Sequence, residues 1–149
     1  MRQVETAFAA VLLVSVFGAT CAADTSDTQI LGTWKTPGHD GKVVIEECGA
    51  AICGRVIDGR ELRVNPNQTD VRNPDASKRD RKILGLNILE GYTGGPTEWS
   101  GGTVYDPQTG DSSNDSTLKL QSPNTLLVKG CRIVFCRSET WTKIASSGQ

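Results

Sequence analysis

From Ile30 onward, apolar and β-branched residues recur at alternate positions in short runs, and clusters of Gly, Pro, Asn and Asp separate the runs. "ILGTWKT" (30–36) leads through the turn cluster "PGHDG" into "KVVIEEC", and "GAA" turns that segment into "ICGRVID". After a polar middle come "ILGLNIL", "GGTVYDP", "STLKLQ", "NTLLVKGC" and "CRSETWTKI". Period-two alternation bounded by turn residues is the signature of half-buried strands. About eight short strands in sequential order predict an all-β fold, a small antiparallel up-and-down barrel, with a sandwich as the related alternative.

One segment breaks the pattern. In "VNPNQTDVRNPDASKRDRKILG" (64–85) the alternation stops, Asn73 is placed to cap a helix opening at Pro74, Asp75 suits the positive end of that helix, and Gly85 can end the segment. The expectation is a loop and one short helix inserted between the third and fourth strands, lying across one mouth of the barrel.

The N-terminus sets the compartment. "AFAAVLLVSVFGA" (7–19) is too short to span a bilayer and runs into small residues at "TCAAD", the pattern of a secretory signal peptide cleaved after Ala23. The expected organisation is residues 1–23 as a removed leader and 24–149 as a single β-barrel domain, periplasmic or secreted, with no further transmembrane segment. Lipidation at Cys21 is the competing reading; "GAT" before it departs from the usual large aliphatic residue followed by two small ones. The formal net charge is −1 and stays so without the leader, which removes Arg2 and Glu5. No global field recruits nucleic acid or an anionic membrane.

Without Cys21, four of the five cysteines remain, Cys48, Cys53, Cys131 and Cys136. An even set in an exported chain points to disulfides. Zinc would need four converging thiolates, and the one histidine, His39, lies in a turn. A redox pair would open a helix, whereas these neighbours are strands. Local bridges across two hairpins, 48–53 and 131–136, are favoured by geometry, while the other connectivities stay open. No metal or cofactor is called for.

"LGTWKTP", "VVIEECGAAICGRVID", "RNPDASKRDRKILGLNIL", "WSGGTVYDPQTG" and "LLVKGCRIVFCRSETWTK" follow, in order, a pattern that resembles the bacterial exported family catalogued as domain of unknown function 2147. The resemblance runs from about Ile30 to Lys143. It departs at Trp141-Thr142-Lys143, where the family motif is Trp-x-Arg, and in the polar strand "DSSNDS". Gly32-Thr33-Trp34 is also similar to the Gly-x-Trp opening of lipocalins, which implies that Trp34 plugs one barrel end and that Arg137 or Lys143 packs over it through a cation-π contact.

A barrel of this size can enclose side chains or one small ligand. The leading functional expectation is therefore a binding module for a small, partly apolar or amphipathic molecule, with Trp34, Trp99, Tyr105, Arg79 and Arg81 as candidate ligand-binding residues. For Trp34 and Trp141 core packing is the stronger reading, and for the "SKRDRK" run (77–82) a solvated face is. The second expectation is an envelope-protein partner module using an exposed strand edge or the insertion. Catalysis comes last: there is no Gly-x-Ser-x-Gly elbow, no catalytic residue is nominated, and of the carboxylate pairs Glu46/Glu47, Asp58/Glu61 and Asp70/Asp75 that could serve acid-base work, Glu46 and Glu47 cannot both line one pocket, because adjacent residues on a strand point to opposite faces.

Overall fold

The computed structural model describes residues 27–145, so the expected leader, its cleavage site and Cys21 lie outside the described residues. Eight strands follow one another: β1 (Gly32–Lys35), β2 (Lys42–Cys48), β3 (Ala51–Asp58), β4 (Asn87–Gly94), β5 (Glu98–Asp106), β6 (Asp111–Ser122), β7 (Thr125–Arg132) and β8 (Phe135–Lys143). Each pairs with the next and β1 pairs with β8, closing an antiparallel up-and-down barrel. The order is the one the alternating pattern predicts. β6 absorbs the polar "DSSNDS" because its inward positions are hydroxyls with partners: buried Ser113 donates to the Cys131 carbonyl at 2.5 Å, and buried Ser116 to the Gly102 carbonyl at 2.6 Å.

Two ends result from this connectivity. The tight turns 49–50, 95–97 and 123–124 lie at one end, with the 3-10 turn Asp27–Ile30. The connections 36–41, 59–86, 107–110 and 133–134 lie at the other. The first end is filled. Trp34 is fully buried, donates its indole N–H to the Ile30 carbonyl at 2.8 Å, and carries the Lys143 ammonium 5.3 Å from its ring centre. Of the two basic candidates for that place, Lys143 takes it because it stands opposite Trp34 in the β1–β8 register. Trp99, Leu89, Leu118 and Leu126 are buried, each worth roughly 1.5–3 kcal/mol of transfer free energy. Tyr92 packs flat on Gly102, where a Cβ would collide with the ring, and its hydroxyl shares a 2.6 Å bond with Ser116. Desolvation raises the Tyr92 phenol to about 12, so it remains a neutral donor.

The insertion is where the expectation is corrected. The α-helix is α1 (Arg60–Val64), directly after β3, and the segment expected to be helical from Pro74 holds a single 3-10 turn, Ala76–Lys78. Asn73 does not cap a helix. Its side-chain amide donates inward to Asp70 at 2.9 Å and to the Tyr105 hydroxyl at 3.1 Å, while its side-chain oxygen takes the Asp75 N–H at 2.9 Å. Asp75 becomes the cap, accepting from the Ser77 N–H at 3.0 Å. A side chain competing for local backbone bonds has won over helix continuation.

The disulfides are local. Cys48–Cys53 and Cys131–Cys136 each fasten one hairpin, with Cα separations of 5.8 and 4.0 Å. The first lies at the filled end and the second at the opposite end. Loops this short are credited with about 2 kcal/mol each in the chain-entropy model.

Candidate functional site

The end opposite Trp34 is open. A cavity of about 810 Å³ occupies that half of the barrel. Val43, Val56, Ile88, Val104, Val128 and Trp141 contribute its apolar wall. These residues come from six different strands and face inward through the pleat, except that Ile88 sits at the register shift between β3 and β4, beside the buried Leu89. Charged and polar side chains from the mouth connections form the rim.

The rim charges are mostly matched. Asp58 accepts from Lys42 at 2.8 Å and from Arg63 at 3.0 Å, and the Lys42 bond foremost holds its carboxyl below the ordinary 3.8. Glu61 accepts from His39 at 2.8 Å, which lowers it from the usual 4.5. Asp40 is lowered chiefly by Lys35, 3.4 Å away. Arg132 pairs with Asp111. Asp58 is thus ion-paired with Lys42 and Arg63, Glu61 is hydrogen-bonded to His39, and neither carboxylate is bonded to the other.

β8 supplies a different kind of wall. Phe135, Arg137, Glu139 and Trp141 alternate along it and line the cavity in descending order. Glu139 accepts the Trp141 indole N–H at 3.1 Å. Among the described residues Arg137 makes no ion pair, so its guanidinium is available to whatever enters. β1 pairs with β8 only at Trp34↔Lys143 and Lys35↔Thr142, whereas β7 pairs with β8 as far as Phe135. The seam is thus zipped at the filled end, and toward the mouth β8 is paired on one side.

The candidate residues separate. Tyr105 lines the cavity. Trp34 and Trp99 are buried in the filled half, away from its lining, and Trp99 instead borders a small surface hollow beside the 49–52 turn. Arg79 and Arg81 stand outside the lining and fasten the insertion: Arg79 donates to the Asn73 carbonyl at 2.8 Å, and Arg81 donates to Asp70 at 2.8 Å while lying 5.2 Å above the Tyr105 ring. Asp70, fully buried, also accepts the Tyr105 hydroxyl at 2.5 Å. Desolvation first, and then that carboxylate, raise the Tyr105 phenol. One buried carboxylate so ties the insertion to the barrel wall. Sequence reading gave Arg137 only as a possible cover for Trp34 and passed over Glu139 and the valines of β3, β5 and β7; the signal available was the alternation of Arg137, Glu139 and Trp141 within "CRSETW".

Among the described residues no group of His, Cys, Asp and Glu is arranged to hold a metal, and no helix is long and apolar enough to cross a membrane. The family model described as "Uncharacterized protein conserved in bacteria (DUF2147)" matches residues 32–143, from β1 to the end of β8. The chain belongs to that family. No curated protein matches it significantly. Among solved structures, the DUF2147 barrel is similar to protein HP1028 from the human pathogen Helicobacter pylori, described as belonging to the lipocalin family, with 17% identity, a TM-score of 0.67, and coverage of 78% of this chain and 83% of that one. At that identity the likeness is one of fold, and the fold is lipocalin-like.

Proposed function

We propose that this DUF2147 barrel is an exported, non-catalytic carrier for a small amphipathic molecule whose apolar part lies against Val56, Val104, Val128 and Trp141 and whose anionic group meets Arg137. The observation that carries the reading is the roughly 810 Å³ cavity, walled by aliphatic and indole groups and open to solvent through a polar rim. A cavity of that size takes a ligand of a few hundred Å³, and an arginine without a carboxylate partner favours an anionic head. The two disulfides fit an oxidising compartment, which is the support for export. The rim carboxylates Asp58 and Glu61 are engaged by Lys42 and Arg63 and by His39, which favours a binding role for the rim over acid-base work.

Native mass spectrometry of protein purified from its own cell extract, combined with displacement of 1-anilinonaphthalene-8-sulfonate, tests the reading. The wild type is expected to bind the dye with quenching of Trp141, and Val128→Trp, which fills the cavity, to abolish binding while keeping the fold. Arg137→Gln should weaken the anionic dye at least about tenfold, the scale of a lost charge-assisted contact. Equal dye affinity in wild type and Val128→Trp overturns the proposal.

A further inference from the structure

The hairpin tips of a soluble barrel ordinarily carry Gly, Asn, Asp or Pro. Six of the seven connections between strands here obey: 36–41 holds Pro37 and Gly38, the β2–β3 turn is Gly49-Ala50, 59–86 holds Gly59, Pro66, Pro74 and Gly85, the β4–β5 turn is Gly95-Pro96-Thr97, the β5–β6 turn opens at Pro107, and the β6–β7 turn is Pro123-Asn124. The β7–β8 tip does not. It reads Ile133-Val134 and runs into Phe135, with relative exposures of 102%, 79% and 80%. Ile133 moreover has φ 57°, the left-handed region that a β-branched residue avoids. Local folding preference would place Asn or Gly there. An apolar residue kept against that preference, and fully in water, points to a use of the tip.

The tip is also held in place. Cys131 and Cys136 face each other in register and are bridged just below it, which fixes the backbone of the tip at the edge of the mouth. The remaining large exposed hydrophobics among the described residues are Val64, Val71 and Leu84, all in the 59–86 connection. That connection borders the same mouth. Among the described residues, all six exposed large apolar residues therefore belong to the two connections 59–86 and 133–134 or the strand end beside the latter. The same connection carries seven Lys or Arg against four Asp or Glu, although the chain as a whole is at −1.

We propose that the mouth of the barrel docks on an anionic lipid bilayer, with Ile133, Val134 and Phe135 inserted at headgroup depth and the basic 59–86 connection lying on the surface. A bilayer fits this arrangement better than a folded partner does. The apolar groups sit on two separate connections around an opening, and a fluid interface accepts separated tips, whereas a stable protein interface needs a continuous complementary patch of roughly 800 Å² per side. The basic excess is complementary to anionic headgroups. The inference rests on the exposure of the tip and not on what the cavity holds, although Ile133 and Phe135 also border the cavity mouth.

The test is co-sedimentation of the disulfide-intact barrel with vesicles of phosphatidylcholine, alone or mixed with phosphatidylglycerol. Binding is expected to the anionic vesicles, to weaken with added salt, and to fall at least about tenfold in the triple variant Ile133→Ser, Val134→Ser, Phe135→Ser, as loss of three apolar contacts requires. In Phe135→Trp, emission should shift to the blue on vesicle addition, because the three native tryptophans are already buried. Equal sedimentation of wild type and triple variant overturns the proposal, as does absence of sedimentation with either vesicle. A concentration-dependent dimer in analytical ultracentrifugation that the triple substitution abolishes would overturn it in favour of a second copy of this chain.

Discussion

Two tryptophans of the same barrel are put to different uses. Trp34 is shut away from solvent, gives its N–H to a backbone carbonyl, and bears the Lys143 ammonium on its face. Trp141, two residues before Lys143 on β8, is just as inaccessible to bulk water but shows part of its ring to an open cavity and gives its N–H to Glu139, a residue of the cavity wall. Leu89, Tyr92, Trp99 and Leu118, all buried, lie outside the cavity lining, as Trp34 does; the strand positions that line the cavity with Trp141 are chiefly Val43, Val56, Ile88, Val104 and Val128, with Leu62 and Ile83 from the 59–86 connection. Side-chain size divides one tube into a filled half that holds the fold and an open half that can hold a guest. Burial by itself does not distinguish the two.

Truncating each indole measures the division. Trp34→Ala should cost about 3–5 kcal/mol, since it removes a large side chain from a packed site and leaves a hole. Trp141→Ala should cost closer to the transfer term alone, about 2–3 kcal/mol, because one side of the ring already faces space. Dye binding should survive the first substitution wherever the protein remains folded and be lost in the second. Urea unfolding with parallel dye titration checks both, and equal destabilisation by the two would show that the cavity half is packed as tightly as the other.

The insertion at the mouth is held by polar contacts where the filled end is held by apolar ones. Asp70→Ala removes the group shared by Arg81, Tyr105 and Asn73. The expected cost is about 1.5–3 kcal/mol, the range for hydrogen bonds to a charged group, kept below that of a fully buried pair because Arg81 is 36% exposed. Hydrogen exchange should show the loss confined to residues 65–85, with protection of β1, β2, β7 and β8 retained. Global loss of protection would make the insertion part of the core.

The strands, their order and the two stapled hairpins were legible because each depends on neighbours in sequence: alternation within a strand, turn residues between strands, a cysteine pair across one turn. Lys143 over Trp34 was legible as one of two candidates, since both basic residues are on the same strand and only the register selects between them. The inserted helix was misplaced because Asn73 has two uses for its side chain, and its choice depends on Asp70 and Tyr105, the latter 32 residues away. Arg79 and Arg81 drew notice as charge; their partners Asn73 and Asp70 give them a fastening role that no local pattern displays. Arg137 was seen only as a possible cover for Trp34. Its place in the cavity follows from barrel closure, which brings β8 opposite strands far from it in sequence.

The smallest expected effect concerns pH, and it too separates the ends. At the mouth, Asp58 has a folded pKa below its unfolded 3.8, with the Lys42 bond as the main cause. Its contribution is complete above 3.8 and is lost as pH falls through the folded value, because only the unfolded chain takes up the proton at first. At the filled end, burial lowers Lys143 below 10.5. A cation disfavoured in the folded state is a penalty at neutral pH, relieved as pH rises from its folded value toward 10.5. Stability therefore rises with pH in both windows, the acid one belonging to the rim and the alkaline one to the Trp34 plug. Urea midpoints across pH should show the gap between wild type and Lys42→Met closing below pH 3.8, and that between wild type and Lys143→Met changing only on the alkaline side. A Lys42→Met gap that persists unchanged into strong acid would mean that Lys42 supports the mouth by packing its methylenes against the barrel and not through the charge of Asp58.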